Sequence, residues 1–389
     1  MILPWNLDQC QTALGRGARV LVVASTALGD SLLCTPLLRT LGDTLGPDRV
    51  GFLVRKPFAE LYENTPWIGQ VLTSPGKFRG MGKLRKELGN YEIALIANCT
   101  EPDLIPWLWW CGVRGFLRYR TRTSTWADWF ANQSMMCKPG DPLFATGHAV
   151  ANNLAMAEVL GIPATSRRLE VWSGDDIVPD VNQDDARTVA GPGKLDAGDG
   201  MLEGTRRGRG VYQELDAGDG MLEGLRRGRR SHLVLIHPGA SRPGKCWPLE
   251  RWAAVAHELR KRLGCDFEIT GSASEKVQAG ILQRLMPSGT ENRAGEYGLR
   301  DLANRQREAS LFLSGDTGPY HLAVAVGCPT VTLFAPRDRG SSIEACGPFG
   351  VNERLHAALQ TPQFNEPIES IPLDAVMKKT LEVFLCGNP

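Results

Sequence analysis

The residues most suited to chemistry lie in the second half of the chain, where residues 314–323 read SGDTGPYHLA directly after a strand-like run. A helix is expected to begin near Pro319, because the first helical position does not need the N–H that proline lacks. Gly318 leaves the backbone open to a ligand, and Thr317 adds a hydroxyl beside the unbonded N–H groups of the helix start. The pattern predicts a phosphate site, although an ordinary capped strand–helix turn would also produce it. Two more polar side chains, those of Asp316 and His321, are expected at the same end of the strand.

A second loop, HPGASRPGKCWP over residues 237–248, follows the first strand-like run of the second half. Lys245 ends its turn as a movable cation, and a compact ammonium suits a diphosphate, while Ser241 offers a hydroxyl in the same loop. This loop is not a P-loop, because Cys246 stands where that motif requires Ser or Thr. A tight turn with a surface lysine is the alternative. Taken together, the two loops predict a diphosphate site.

The third feature is the turn STALGD at residues 25–30, which follows the apolar run of residues 19–24. It lacks the G-x-G-x-x-G pattern, and no acidic residue follows where a ribose would be bound, so a dinucleotide-binding fold is disfavoured. Asp30 opens a helical pattern, where its carboxylate could be a helix cap or a general base. Its expected place at the mouth of the first sheet, opposite the diphosphate site, favours the general base.

The elements that position these loops alternate between strands and helices in both halves of the chain. Continuous apolar runs rich in β-branched residues are typical of strands buried on both faces of a parallel sheet. Pro36, inside the first helical pattern, predicts a kink or a late helix start. The fold class is therefore α/β, with two Rossmann-like domains whose parallel sheets face each other across a cleft. Strands are predicted at residues 19–24, 50–54, 93–97, 233–236, 266–270, 311–313 and 330–334, and helices at 249–263, 274–285 and 319–326.

Between the two halves, residues 195–204 read LDAGDGMLEG, and residues 215–224 repeat the same letters. Dense glycine and alternating blocks of charge predict a solvated, inert insertion, with a functional module as the alternative. The predicted divisions are an N-terminal domain at 1–165, a linker carrying the insertion at 166–230, a second domain at 231–370, and a C-terminal helix at 371–389 that can cross back to the first domain.

The composition excludes several classes of protein. Lys and Arg number 44 against 43 Asp and Glu, so the net charge of +1 gives no indication of a nucleic-acid partner. A hydrophobic content of 42% excludes a wholly disordered chain. The 10 cysteines include no C-x-x-C pair, which argues against structural zinc and a disulfide framework. No apolar run reaches the ~20 residues of a membrane span, and the N-terminus lacks a signal-peptide pattern, so a cytoplasmic protein is expected.

These motifs, in this order, resemble glycosyltransferase family 9, the ADP-heptose:lipopolysaccharide heptosyltransferases. The resemblance covers most of the chain and implies a GT-B-like architecture, ADP-L-glycero-D-manno-heptose as donor, inversion at the anomeric carbon, and no cofactor or required metal. The family usually has glycine where Ala335 stands, and it has no counterpart of the repeat. The matching segments are Gly29-Asp30 with Pro36, the helix from His148 to Leu154, PGAS at 238–241, KCWP at 245–248, ERWA at 250–253, DTGPYHLA at 316–323, and Pro329 with LFAP at 333–336.

The resemblance also implies roles for the site residues. The second domain would bind the ADP-sugar and the first domain the acceptor, with Asp30 as the base and Lys245 stabilising the leaving diphosphate. The acid that binds the donor ribose would be Glu275. The implied donor-binding residues are Ser241, Lys245, Glu275, Asp316, Thr317, Gly318 and His321.

The expected acceptor is a glycan, and the lipid-linked inner core of lipopolysaccharide is the favoured one. The protein would bind it at the inner face of the cytoplasmic membrane. A basic run could grip such an anionic acceptor, or it could be a solvated helix end, and its candidate residues are Arg118, Arg120 and Arg122. A tryptophan-rich segment is read as a half-buried helix rather than a membrane-facing patch, and it carries Trp107, Trp109 and Trp110.

Two other functions remain open at this stage. One is heptosyl transfer to a protein or a small-molecule acceptor. The other is a nucleotide-sugar-binding protein that has kept the fold and lost catalysis, which the intact Asp30, Lys245 and residues 316–318 argue against. A UDP-sugar donor is disfavoured by the block at residues 316–323.

Overall fold

The architecture consists of two parallel β-sheets with helices packed on their faces. It was established from a computed structural model of the chain. We call the residues around the first sheet, up to residue 172, the first unit, and those from residue 232 onwards the second unit. The structure describes residues 4–74, 81–98, 104–118, 147–172 and 232–388.

The first sheet has five parallel strands in the order β3-β2-β1-β4-β5. Its central strand β1 is buried at every position, as its sequence VLVVA predicts for a strand covered on both faces. The strands are β1 (Val20–Ala24), β2 (Val50–Arg55), β3 (Gln70–Ser74), β4 (Ile93–Asn98) and β5 (Gly115–Leu117). The helices of this unit are α1 (Leu7–Gly15), α2 (Leu28–Leu32), α3 (Thr35–Leu45), α4 (Met81–Leu88), α5 (Leu104–Trp110) and α6 (Ala149–Glu158).

The second sheet has six parallel strands in the order β11-β10-β9-β6-β7-β8. The strands are β6 (Leu233–His237), β7 (Asp266–Ile269), β8 (Glu291–Asn292), β9 (Leu311–Gly315), β10 (Thr330–Phe334) and β11 (His356–Gln360). The helices are α7 (Leu249–Leu263), α8 (Lys276–Leu285), α9 (Leu299–Glu308), α10 (Gly318–Ala325), α11 (Ile343–Cys346) and α12 (Leu373–Gly387). The predicted class, two parallel α/β sheets, is confirmed.

The helical pattern after β1 is divided into two helices. The short α2 ends at Leu32, and α3 begins at Thr35 with Pro36 in its first turn. Proline is tolerated there because the first turn leaves its N–H groups without helical partners. The late helix start that Pro36 predicts is therefore confirmed.

The C-terminal helix corrects one prediction. The buried face of α12 joins the core of the second sheet through Val376, Val383 and Phe384, and the helix packs beside β9, β10 and β11. Its described buried residues belong to the second unit and not to the first, because its apolar stripe packs on the sheet that precedes it. Residues just past 165 contact α3 of the first unit, since the Glu170 N–H donates to Thr35 Oγ1 at 3.0 Å and the Glu170 carboxylate pairs with Arg39 at 2.6 Å.

The tryptophan-rich helix α5 is half-buried, as predicted. Trp107 and Trp109 pack against the core of the first sheet, whereas Trp110 is exposed with the Arg85 guanidinium 4.0 Å from its ring centroid. Among the described residues, no helix is both long and apolar enough to cross a bilayer.

Several contacts join the two units. The Glu60 carboxylate of the first unit accepts a hydrogen bond from the Leu299 N–H at the start of α9, at 2.8 Å. His148 precedes α6 and contacts the Gly347 carbonyl through Nε2, at 3.0 Å, while its ring stacks on Phe349. The second unit therefore takes part of its helix capping from the first.

Candidate functional site

A cavity of about 510 Å³ lies between the two units, at the carboxyl ends of β1, β6 and β9. Ligands of open parallel sheets bind at this edge, because the strand ends and the following helix starts present unbonded polar groups there. The sequence-predicted residues that line it are Asp30, Ser241, Lys245, Glu275, Asp316, Thr317, Gly318 and His321. The three loops singled out from the sequence thus meet in one place.

On the first-unit side, Asp30 is held by its own turn. Thr26 Oγ1 donates a hydrogen bond to Asp30 Oδ2, and the Ala27 N–H donates to the same oxygen at 3.2 Å. Ala27 occupies the N-cap position of α2, so Asp30 stands in the first turn and is not the cap residue. A carboxylate in a first helical turn is favoured by the positive end of the helix dipole.

The opposite side of the cavity carries an ion pair between Lys245 and Asp316. Lys245 Nζ contacts Asp316 Oδ2, and each side chain is 12% exposed. Lys245 closes a short 3₁₀ turn, Pro243–Lys245, after β6, and Asp316 follows β9, the neighbouring strand. The pair therefore fixes a partly desolvated ammonium at the edge of the cavity, where an anion could engage it.

The start of α10 supplies unbonded backbone donors. Thr317 precedes the helix in an extended conformation, and Pro319 lies in the first turn. Thr317 Oγ1 is buried and has no hydrogen-bond partner among the described residues. A helix start that faces a cavity with a spare hydroxyl can bind the oxygens of a phosphate group.

His321 lies one turn into α10 and is 5% exposed. Burial lowers the pKa of its imidazole to about 4, against the opposing effect of Asp316, whose Oδ1 lies 3.8 Å from His321 Nε2. The ring is therefore neutral at physiological pH. It packs against Gly29 of the first unit, where a Cβ atom would lie 2.6 Å from His321 Cδ2.

Glu275 lies in a 3₁₀ turn after β7, Ala273–Glu275, and accepts hydrogen bonds from Ser272 N and Oγ at 2.6 and 2.7 Å. Its other oxygen lies 3.9 Å from His237 Nε2. Burial lowers the pKa of His237. The carboxylate lies directly over Gly239, where a Cβ atom would be 1.9 Å from Glu275 Oε1. The turn thus orients the carboxylate beside the loop that follows β6.

Sequence reasoning missed the wall of this cavity that residues around α9 and α11 form. Tyr297 lies there with its hydroxyl donating to the buried Glu268 at 2.8 Å, and Arg305 pairs with the same carboxylate at 2.8 Å. These positions have no local motif, and only the packing of α9 and α11 brings them to the site. The residues of this wall are Tyr297, Leu299, Leu302, Gly340, Ser341 and Cys346.

Only Arg118, among the three candidate acceptor arginines, has a described position relative to the cavity. Arg118 follows β5 and does not line it. Arg120, Arg122 and the repeat at 195–224 lie outside the described residues. Within the described ranges, no three His, Cys, Asp or Glu side chains form a cluster that could hold a metal ion.

The sequence of the second half of the chain is similar to that of a known protein family. Residues 214–363 match the model of "Glycosyltransferase family 9 (heptosyltransferase)", so the predicted resemblance is confirmed. Lipopolysaccharide heptosyltransferase 1 of Pseudomonas aeruginosa is 34% identical over 112 residues, which are 28% of this chain and 30% of that protein. The chain spans only 30–44% of the length of the curated relatives that it matches.

Two solved structures resemble nearly the whole chain. The family 9 glycosyl transferase of Veillonella parvula superposes with a TM-score of 0.68 at 18% identity, over 95% of this chain and 98% of that one. An E. coli heptosyltransferase solved with ADP-2-deoxy-2-fluoro heptose superposes with a TM-score of 0.60 at 16% identity, over 92% and 98%. At these identities the likeness establishes the fold, which is the predicted GT-B-like architecture.

Proposed function

We propose that this protein is an inverting glycosyltransferase that moves a heptose from ADP-L-glycero-D-manno-heptose to a hydroxyl of the lipopolysaccharide inner core. One observation carries the proposal. A carboxylate from the first unit, Asp30, lines the same cavity as the Lys245–Asp316 pair and the start of α10 from the second unit. Such a cavity offers a proton acceptor on one side and donors for a diphosphate on the other.

The reaction is a single displacement in this scheme. Asp30 takes the proton of an acceptor hydroxyl while that oxygen attacks the anomeric carbon. The bond from the anomeric carbon to the diphosphate oxygen breaks on the opposite face, and ADP departs with the electron pair. The new glycosidic bond therefore has the inverted configuration, and the proton remains on Asp30 until solvent removes it.

Negative charge grows on the diphosphate as the old bond breaks. The proposed donors to that charge are Lys245, the Ser241 hydroxyl and the N–H groups at Thr317 and Gly318, whose residues all line the cavity. Such fixed donors cost little reorganisation during the reaction, which is why they stabilise a transition state well. Asp316 keeps the ammonium in position, and Glu275 is the proposed contact to the donor ribose.

A divalent metal is not required in this scheme, because a cation and a helix start already face the leaving group. Chelation with EDTA is therefore expected to leave turnover unchanged. Loss of turnover with EDTA, restored by one added metal ion, would refute this part of the proposal.

The domains have separate tasks in the proposal. Residues 231–370 bind the donor, and residues 1–165 bind a lipid-linked or other glycan acceptor on the cytoplasmic side of the inner membrane. The basic residues proposed for the acceptor are Arg118, Arg120 and Arg122.

The proposal is tested by incubating the protein with ADP-heptose and with inner-core acceptors, then weighing the products by mass spectrometry. Transfer adds one heptose residue to the acceptor and releases ADP. Transfer only to a peptide or a small molecule would show that the acceptor is of that class and not the lipopolysaccharide inner core. Tight ADP-heptose binding without any product or hydrolysis would indicate a non-catalytic nucleotide-sugar-binding protein.

A further inference from the structure

The starts of α2 and α10 pack directly against each other across the cleft. We define an interlock by the four residues in this contact: Leu28, Gly29, Gly318 and His321. Leu28 and His321 are nearly buried, at 7% and 5% exposure. The two side chains belong to different units, so their burial here depends on how the units are placed.

The contact is reciprocal. A Cβ atom at Gly318 of the second unit would lie 2.7 Å from Leu28 Cβ and 2.9 Å from Leu28 Cδ2. A Cβ atom at Gly29 of the first unit would lie 2.6 Å from Cδ2 and 3.0 Å from Nε2 of His321. Each helix thus inserts a side chain over a glycine of the other.

Backbone conformation does not explain these two glycines. Neither Gly29 nor Gly318 is among the residues with a positive φ, so an L-amino acid could adopt either backbone. What excludes a side chain at both positions is the close approach of the opposite helix. Separations below 3 Å are well inside van der Waals contact, and interiors packed this tightly do not adjust without cost.

Each glycine also adjoins a residue of the proposed reaction. Gly29 precedes Asp30, and Gly318 follows Thr317. Two separate contacts between the same pair of helices restrict both sliding and rotation of one helix start against the other. The separation between the carboxylate and the phosphate-binding helix start is therefore set by how these four residues fit.

We propose that the interlock is a positioning device for the transfer reaction, in which Leu28 and Gly318 fix the base relative to the leaving group. This inference rests on the proposed function, because it assigns the interlock to that reaction. A displacement of about 1 Å in a reacting pair can lower a rate about 10²-fold, so a methyl group in this contact is expected to affect turnover strongly.

The test uses Gly318→Ala, Leu28→Gly and the double variant. Gly318→Ala is expected to lower kcat about 10²-fold, because the added methyl points at Leu28, and to change the affinity for ADP by a smaller factor, because the backbone N–H at 318 is kept. Adding Leu28→Gly removes Leu28 Cβ, Cγ and Cδ2, the three atoms that the new methyl group would meet, and it should recover at least tenfold of the lost kcat. Gly280→Ala is the matched control, because no heavy atom lies within 4 Å of its Cβ position and it does not line the cavity.

A second readout needs no turnover. Thermal unfolding of the same four proteins without ligand should show a loss in the double variant that is smaller than the sum of the single losses, as expected for residues in direct contact. Additive losses, or a double variant with no more activity than Gly318→Ala, would overturn the inference. If the unfolding data are coupled while the wild-type protein transfers no sugar, the interlock stands and the proposed function fails.

Discussion

Thr26 Oγ1 donates a hydrogen bond to the carboxylate of Asp30, four residues further along the chain. The Thr26 carbonyl in turn accepts a hydrogen bond from Arg55 Nη1, at 3.1 Å, at the end of the neighbouring strand. A carboxylate that must take a proton from a hydroxyl needs one orientation rather than several. The turn after β1 provides it through the Thr26 hydroxyl, while the backbone carbonyl of Thr26 is hydrogen-bonded to Arg55 at the end of β2.

Removal of this hydroxyl is therefore expected to affect catalysis. Thr26→Val keeps the shape of the side chain and loses the donor, and it should lower kcat about tenfold, in line with the worth of a hydrogen bond to a charged group. Thr26→Ser keeps the donor and should stay within about threefold of wild type. Steady-state kinetics with varied donor check both variants, and a rise in the donor KM at unchanged kcat would show that Thr26 serves binding instead.

The Lys245–Asp316 pair has a role in both stability and catalysis. Lys245→Ala leaves a carboxylate that is 12% exposed without its partner, so the free energy of unfolding should fall by about 3 kcal/mol. It should also lower kcat about 10²-fold or more, by a larger factor than KM rises, because the charge on the diphosphate grows in the transition state. Lys245→Arg should restore activity only in part.

The control for this pair is Lys245→Ala combined with Asp316→Asn. It removes the uncompensated charge and should recover stability in a urea titration without recovering turnover. Recovery of both would mean that the lysine acts only by keeping Asp316 neutralised.

His356 on β11 gives a dependence of stability on pH that does not involve the cavity. Its ring is 6% exposed and lies 3.2 Å from Thr330 Oγ1, and burial, aided by Arg168, lowers its pKa from 6.5 to about 4. A folded-state pKa below the unfolded value means that the unfolded chain binds the proton first. The stability that the neutral His356 ring contributes to the folded state is fully present above pH 6.5 and is lost as the pH falls towards 4.

His356→Gln removes that linkage. Between pH 7.5 and 4.5, the wild-type protein should lose roughly 2–3 kcal/mol more stability than this variant, as measured by urea unfolding at each pH. His321 titrates in the same window, and its contribution is common to both proteins. Equal losses in the two proteins would show that His356 is not held neutral by the fold.

The central strands and the site loops could be predicted from the sequence, but the sheet edges could not. Strands such as β1 are continuous apolar runs, whereas β3 (QVLTS) is half-exposed and β8 has only 2 residues. Edge strands need few apolar side chains, so their sequences resemble those of loops. The missed strand β5 (GFL) is buried but has only 3 residues, and β11 (HAALQ) contains no β-branched residue, so neither has the pattern of a strand.

The sequence likewise predicts some residues of the site and not others. Asp30, Lys245 and Asp316 were predictable, because each follows a recognisable strand and the carboxyl ends of parallel strands converge. Thr26 stands in the same turn, yet its hydrogen bond to Asp30 depends on side-chain geometry that no spacing reveals. Tyr297 comes from a connecting segment and Cys346 from the end of α11, and long-range packing of the second unit brings both to the cavity.

The most direct test of the account is a comparison of wild type with Asp30→Asn in two assays. Calorimetric titration with ADP measures the donor side alone, and single-turnover transfer from ADP-heptose measures the chemical step. The account predicts an ADP affinity within about twofold of wild type and a transfer rate lowered roughly 10²–10⁴-fold, the usual worth of a positioned base. Transfer at a rate near that of wild type would contradict it, and Asp30 would then be only part of the first turn of α2.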